Sequence, residues 1–153
     1  ALIRTKFANL ARTVRFTGRL PNDRMAAEVA KANAFLMFNN YAYSGTKVFD
    51  YMALRRRILL CYSDDPGAQR LKQRHYNLDL APETDERVLE KMVEETRSGV
   101  IVKDAPHLRQ VLTELHREFK QTGRVSCEPV GTEKYSRKAQ AERLAGVLKG
   151  LVR

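Results

Sequence analysis

The stretch SGTKVFDYMALRRRILLC, Ser44 to Cys61, holds a small polar turn, a Lys and an Asp three residues apart, three arginines and a compact β-type run. Its order is loop, helix, strand. A helix begins near Thr46, after the polar loop Asn39 to Gly45, and a strand follows at Ile58 to Tyr62. The same alternation extends outward. Further β-type runs lie at Val14 to Thr17, Ala34 to Phe38 and Val100 to Val102, with helical spacing between them. Pro21 opens one helix, with Asn22 or Asp23 as its cap and Met25, Val29 and Ala32 on its apolar side. Val88, Leu89, Met92 and Val93 mark a second helix. Leu108, Val111, Leu112, Leu115 and Phe119 mark a third, and Gly99 and Gly123 supply the stops. Lys134 to Leu151 reads as a final helix after an extended link from Cys127 to Gly131. Strand and helix repeated in this order predict an α/β fold, a parallel sheet covered by helices on both faces.

In such sheets ligands bind beyond the carboxyl ends of the strands, where helix N-termini point free N–H groups at anions. Ser44, Gly45 and Thr46 lie at one of these places, and Gly45 brings no side chain between backbone and phosphate. Lys47 adds positive charge there, and Asp50 lies one helical turn on, where a carboxylate can hold two sugar hydroxyls. The competing reading is a helix capped by Thr46, with Lys47 and Asp50 as an exposed pair worth at most ~0.5 kcal/mol.

At 153 residues, 43% hydrophobic and 30% charged, the chain has the composition of one globular domain with a real core. The net charge of +10 is uneven: residues 1–60 carry eleven Lys/Arg against Asp23, Glu28 and Asp50. A local basic surplus suits nucleic acid, an anionic membrane or a phosphorylated ligand. No apolar run approaches the roughly 18 residues of a membrane helix, and no signal-peptide pattern opens the chain. Cys61 and Cys127 lack the spacing of a metal knuckle or a disulfide framework, which points to a reducing, cytoplasmic compartment. His75, His107 and His116 share no metal-ligand spacing with Cys or carboxylates. Asp64 and Asp65, before Pro66 and Gly67, read as turn chemistry or as part of a loop facing a ligand cleft, and Arg55 to Arg57 as a solvated helix end or a polyanion patch. Tyr41 and Tyr43 have the chemistry to stack on a base or simply to pack. The chain opens at Ala1 inside an amphipathic segment, so a piece of a longer protein is expected.

The segment GTKVFDYMALRRRILL resembles the donor-binding part of GT-B glycosyltransferases of the family 4 type: Gly, Lys, an acidic residue, an apolar turn and then a strand. VRFTGRLPNDRMAAEVAKANAFLMF is similar to the strand, glycine loop, helix and strand that precede it, and EETRSGVIVKDAPHLRQVL to a later helix, strand and helix. The resemblance covers most of the chain. It implies a Rossmann-like sheet and residues 1–153 as one donor domain, lacking its first strand and helix and the acceptor-binding half. By the same resemblance Lys47 would meet the donor diphosphate as the catalytic cation, and Asp50, in place of the usual Glu, the ribose hydroxyls. Gly18 and Arg19 would border the nucleobase, and Ser44, Gly45 and Thr46 would offer N–H groups to the distal phosphate or sugar. The implied activity is hexosyl transfer from a nucleotide-sugar to an acceptor in polysaccharide or glycoconjugate synthesis. The isolated chain is expected to be inactive, and neither a metal nor a cofactor is expected.

The sequence departs from the family pattern in places. Ala42 stands where many members carry an acidic residue, and Arg55 to Arg57 replace the common Gly, basic, Pro. Three alternatives stand beside this reading: a nucleotide-sugar 2-epimerase-like domain, a basic α/β module for nucleic acid, and a peripheral location at the inner face of an anionic membrane. The last would use Ala1 to Phe16, where Leu2, Ile3, Phe7, Leu10, Ala11 and Val14 oppose Arg4, Lys6, Arg12 and Arg15. No RNP-like strand, KH-type loop or helix-turn-helix signature supports nucleic acid, which is the weaker partner.

Overall fold

A central strand buried on both faces organises the larger part of the molecule. In the computed structural model, which describes residues 13–38, 46–61 and 87–151, the chain packs as two compact units, Ala1–Lys31 and Ala32–Arg153. Ser44, Gly45, Ala42, Tyr41, Tyr43, Asp64, Asp65, Pro66, Gly67, His75 and residues 1–12 of the amphipathic opening lie outside the described residues.

The first unit contributes helix α1, Asn22–Ala30. Pro21 itself takes the cap position, with φ −56° and ψ 152°, and no side chain caps the helix, so the expected Asn22 or Asp23 cap is not used. Instead the Met25 N–H donates to the Pro21 carbonyl at 2.8 Å. Ala32 falls beyond the end of the helix. Glu28 pairs at the surface with Arg15 and, at 2.8 Å, with Lys31, exposed contacts that add little to stability. Residues 14–17, expected as a strand, have no regular structure. A strand needs a hydrogen-bonded neighbour, and among its described residues this unit has none to offer.

The second unit is α/β. Strands β1 (Ala34–Phe38), β2 (Arg57–Cys61) and β3 (Gly99–Val102) form a parallel sheet in the order β1-β2-β3. Phe35 pairs with Ile58 and Leu60 with Ile101 in register. Helix α2 (Lys47–Ala53) links β1 to β2, α3 (Val88–Thr96) precedes β3, and α4 (Ala105–Thr122) follows it. A 3₁₀ turn, Thr132–Tyr135, and helix α5, Arg137–Leu151, complete the unit.

Alternation along β2 divides the core. Ile58 and Leu60 point to one face, where Val48 and Met52 of α2 and Leu89, Met92 and Val93 of α3 cover them. Leu59 and Cys61 point to the other, with Val102 and Val111, and Leu108 and Leu115 of α4 pack against them. Helices therefore cover both faces, as the all-apolar pattern of β2 requires. Seven-residue α2 is too short to persist alone. Val48 and Met52, 0% and 2% exposed, hold it to the sheet, each side chain contributing roughly 1.5–3 kcal/mol. Phe35 stacks on Tyr51 at 3.9 Å between ring centres, tying β1 to the same helix.

The stops are partly where the sequence suggests. Gly123 closes α4 with φ +74°, and Asp104 caps its start by accepting the His107 N–H at 2.7 Å. Gly99 stops nothing: Arg97, with φ +53°, closes α3, and Gly99 is the first residue of β3. Its role is close approach, since a Cβ there would stand 2.1 Å from the Ile58 carbonyl oxygen. The arginines also divide their roles. Arg55, with φ +52°, turns the chain out of α2, while Arg57 opens β2 and donates to the Ser126 carbonyl through Nε at 3.2 Å and Nη2 at 2.6 Å. The final helical stretch breaks at Ser136, whose extended backbone ends the 3₁₀ turn and whose Oγ accepts the Ala139 N–H at 3.1 Å. Helix α5 buries none of its residues. Among the described residues no helix is long and apolar enough to cross a membrane.

Because the Gly99 contact is with backbone, it cannot relax by a rotamer change. Gly99→Ala is expected to destabilise the fold by roughly 3 kcal/mol, the upper part of the range for overpacking. Denaturant unfolding measures it, and a loss below about 0.5 kcal/mol would show that β2 and β3 can separate freely at this point.

Candidate functional site

Asp50 faces a cavity. The helix that carries it starts beyond the carboxyl end of β1, and burial of Val48 and Met52 turns the remaining face of α2 outward. Thr46 has helical backbone angles and makes no side-chain cap bond; its carbonyl accepts the Phe49 N–H at 3.2 Å. Lys47 and Asp50 are both exposed, and neither side chain makes a hydrogen bond or ion pair among the described residues. The capped helix with a Lys47–Asp50 pair is therefore not what forms. Burial, with the negative charge of Asp50 added, raises the Tyr51 phenol above its ordinary range.

The cavity has a volume of about 570 Å³. Thr46, just before α2, and Asp50 within it contribute, with Glu133, Ser136, Arg137 and Gln140 from the chain after α4. Phe49 and Tyr135 add aromatic wall, with ring centres 6.2 Å apart and planes tilted by 38°. Lys47 does not line it. The residues after α4 carry no motif that marks them, and only the fold brings them to Asp50. The Ser136 cap is the sequence signal that locates the start of α5 and hence the position of Arg137 and Gln140.

Two bonds from α3 hold this wall. Lys134 Nζ and the Tyr135 hydroxyl both donate to Glu95 Oε2, at 2.6 and 3.1 Å. The Gln140 amide in turn donates to the Tyr135 carbonyl at 3.1 Å. The hydrogen bond from Lys134, and then that from Tyr135, lower the pKa of the Glu95 carboxyl.

Gly18 and Arg19 belong to the first unit, Thr46, Lys47 and Asp50 to the second. Gly18 adopts φ +66° in a loop and Arg19 is exposed. That unit has a cavity of its own, of about 420 Å³, lined by Arg15, Thr17, Leu20, Arg24, Ala27 and Glu28. Ser44 and Gly45 lie outside the described residues. No three His, Cys, Asp or Glu side chains converge on a point among the described residues. Comparison of the chain with protein-family models, with curated proteins and with solved structures finds no match.

The Glu95 anchor carries a pH dependence of definite sign. A carboxyl whose pKa is lowered on folding stabilises above its unfolded value, here about 4.5, and loses that contribution as pH falls through the folded one. Acidification below about pH 4.5 is expected to release Tyr135 from α3, seen as a change in its ring NMR signals. In Glu95→Gln the same signals should already be shifted at neutral pH and lack that acid step. Identical titrations of the two proteins would show that Glu95 does not hold the wall.

Proposed function

We propose that this chain is the donor-binding domain of a GT-B-type glycosyltransferase, holding a nucleotide-diphosphate sugar for transfer to an acceptor. The observation that carries the reading is the state of Lys47 and Asp50. They stand one turn apart on the helix that follows β1, exposed and uncommitted among the described residues. A cation and a carboxylate left apart at this end of a parallel sheet suit a ligand with a phosphate and a vicinal diol. The resemblance of residues 45–60 to the family's donor segment gives each its role. Lys47 meets the diphosphate and stabilises the charge that develops as it departs; Asp50 accepts from the ribose hydroxyls. By the same resemblance Thr46 would present its backbone N–H to the distal phosphate or the sugar. The acceptor half of such an enzyme is a separate domain, so this chain by itself binds the donor without turning it over. No metal is required, because Lys47 and backbone N–H groups supply the positive charge. The setting is cytoplasmic, where nucleotide-sugars are available.

The test separates the two residues. Lys47→Ala is expected to weaken UDP, GDP or ADP, whichever binds, by roughly 1.5–3 kcal/mol while leaving the free nucleoside almost unchanged. Asp50→Asn should penalise the ribonucleotide and spare its 2′-deoxy form. Calorimetry reads both, with folding checked by circular dichroism. Absence of binding by all three nucleoside diphosphates would overturn the donor reading, and equal losses for every ligand in both variants would overturn the role assignment.

A further inference from the structure

The cavity that Asp50 faces is walled on its far side by residues to which the donor reading gives no task. Glu133 and Arg137 are exposed and make no side-chain hydrogen bond or ion pair among the described residues, although both line the same space. Gln140 uses its amide N–H on the Tyr135 carbonyl, which fixes the side chain and leaves its carbonyl oxygen as an acceptor. Phe49 and Tyr135 give two tilted ring faces, and the Tyr135 hydroxyl is already held by Glu95, so that ring is oriented in advance. A volume of about 570 Å³ lies within the range of small-molecule sites.

The lining selects a ligand class. Nucleic acid or free phosphate is disfavoured, because Asp50 and Glu133 place two negative charges against one guanidinium. A purely apolar ligand would leave both carboxylates and Arg137 desolvated and unsatisfied. A polyhydroxylated ring satisfies all of them: each carboxylate accepts from adjacent hydroxyls, Arg137 donates to ring or hydroxyl oxygens, and the C–H face of the ring lies on an aromatic wall. We propose that this cavity is a sugar-ring site, with Glu133, Tyr135, Arg137 and Gln140 completing from the C-terminal segment what Asp50 begins from α2. The inference rests on the donor reading only for the part played by Asp50. The ring comes either from the ribose of a nucleotide or from a hexose, and the experiment distinguishes these sources.

The experiment follows backbone amide signals of the whole chain by NMR during titration with UDP, ribose 5-phosphate, methyl glucoside and inorganic pyrophosphate. Shifts at residues 132–140 are expected with at least one of the three hydroxylated ligands and not with pyrophosphate. Response to UDP and ribose 5-phosphate identifies ribose as the source, and response to methyl glucoside identifies a hexose. Glu133→Gln and Arg137→Ala should each weaken the responding ligand at least fivefold and leave pyrophosphate unchanged, whereas Lys47→Ala should weaken pyrophosphate. Both substitutions are at exposed positions, and the titration of the unaltered chain stands without them. Pyrophosphate and UDP binding that depends on Lys47, with residues 132–140 silent to every hydroxylated ligand, would overturn the cavity assignment and keep the donor reading. Methyl glucoside shifting 132–140 with no binding of UDP, GDP, ADP or pyrophosphate would do the reverse. Silence of all four ligands overturns the cavity assignment, as do unchanged affinities in the two cavity variants.

Discussion

The close approach of β2 and β3 at Ile58 and Gly99 is the constraint from which the rest of the larger unit follows. With no Cβ at Gly99, the backbone of β3 comes in beside the Ile58 carbonyl, and the Ile58 N–H reaches the Ser98 carbonyl at 3.0 Å. Two of the residues just before Gly99 are then fully enclosed. Thr96 and Ser98 are both 0% exposed, and burying two hydroxyls is tolerable only if each finds a partner. They find each other at 2.9 Å, and Thr96 also donates to the Met92 carbonyl at 2.7 Å, a bond inside α3. The end of α3 is thus locked to the start of β3 by side chains as well as by Arg97 in its left-handed cap.

That locked corner also receives the chain from a distance. The Val130 N–H donates to the Thr96 carbonyl at 2.8 Å, and Cys127 Sγ to the Ser98 carbonyl at 3.6 Å. Beside it, Arg57 grips the Ser126 carbonyl and Glu118 accepts the Ser126 N–H at 2.7 Å. An extended segment without a sheet partner gains its order from these contacts. Its path delivers Thr132 to Tyr135 to α3, where Glu95 fixes them, and so places Arg137 and Gln140 opposite Asp50. One edge of the cavity therefore depends on a hydrogen-bond corner that is not itself part of the site.

Much of this was legible in the sequence, for reasons visible at particular residues. β1 was readable because AFLMF is a compact apolar run, and β2 and β3 because both are continuous β-branched or aliphatic runs. The stripes of α3 and α4 show the helical period. What period cannot show is which neighbour a strand finds. Residues 14–17 have the alternation of a strand, yet without a pairing partner the pattern has no consequence. Gly99 has the same limitation in another form: a glycine after a helix reads as a cap, and its closeness to Ile58 is a tertiary fact. At the site, the polar loop and Lys47 with Asp50 stood out because they follow a strand. Glu133, Arg137 and Gln140 did not, because they are ordinary polar residues until the corner at Ser98 directs the chain past α2.

This division explains why Lys47 and Asp50 have different surroundings although they are one turn apart. Val48 and Met52 set the rotation of α2 about its own axis by entering the core, and a short helix with two anchors has little freedom to turn. That rotation leaves Asp50 over the cavity and Lys47 outside it. Had the two side chains paired, an exposed ion pair would have contributed little to stability while occupying both groups. Their separation leaves the carboxylate to the wall built by the C-terminal segment and the ammonium to whatever lies beyond the carboxyl end of β1. A ligand that spans the two must carry hydrogen-bond donors at one end and negative charge at the other, and this polarity follows from the packing of the helix as much as from the identity of either residue.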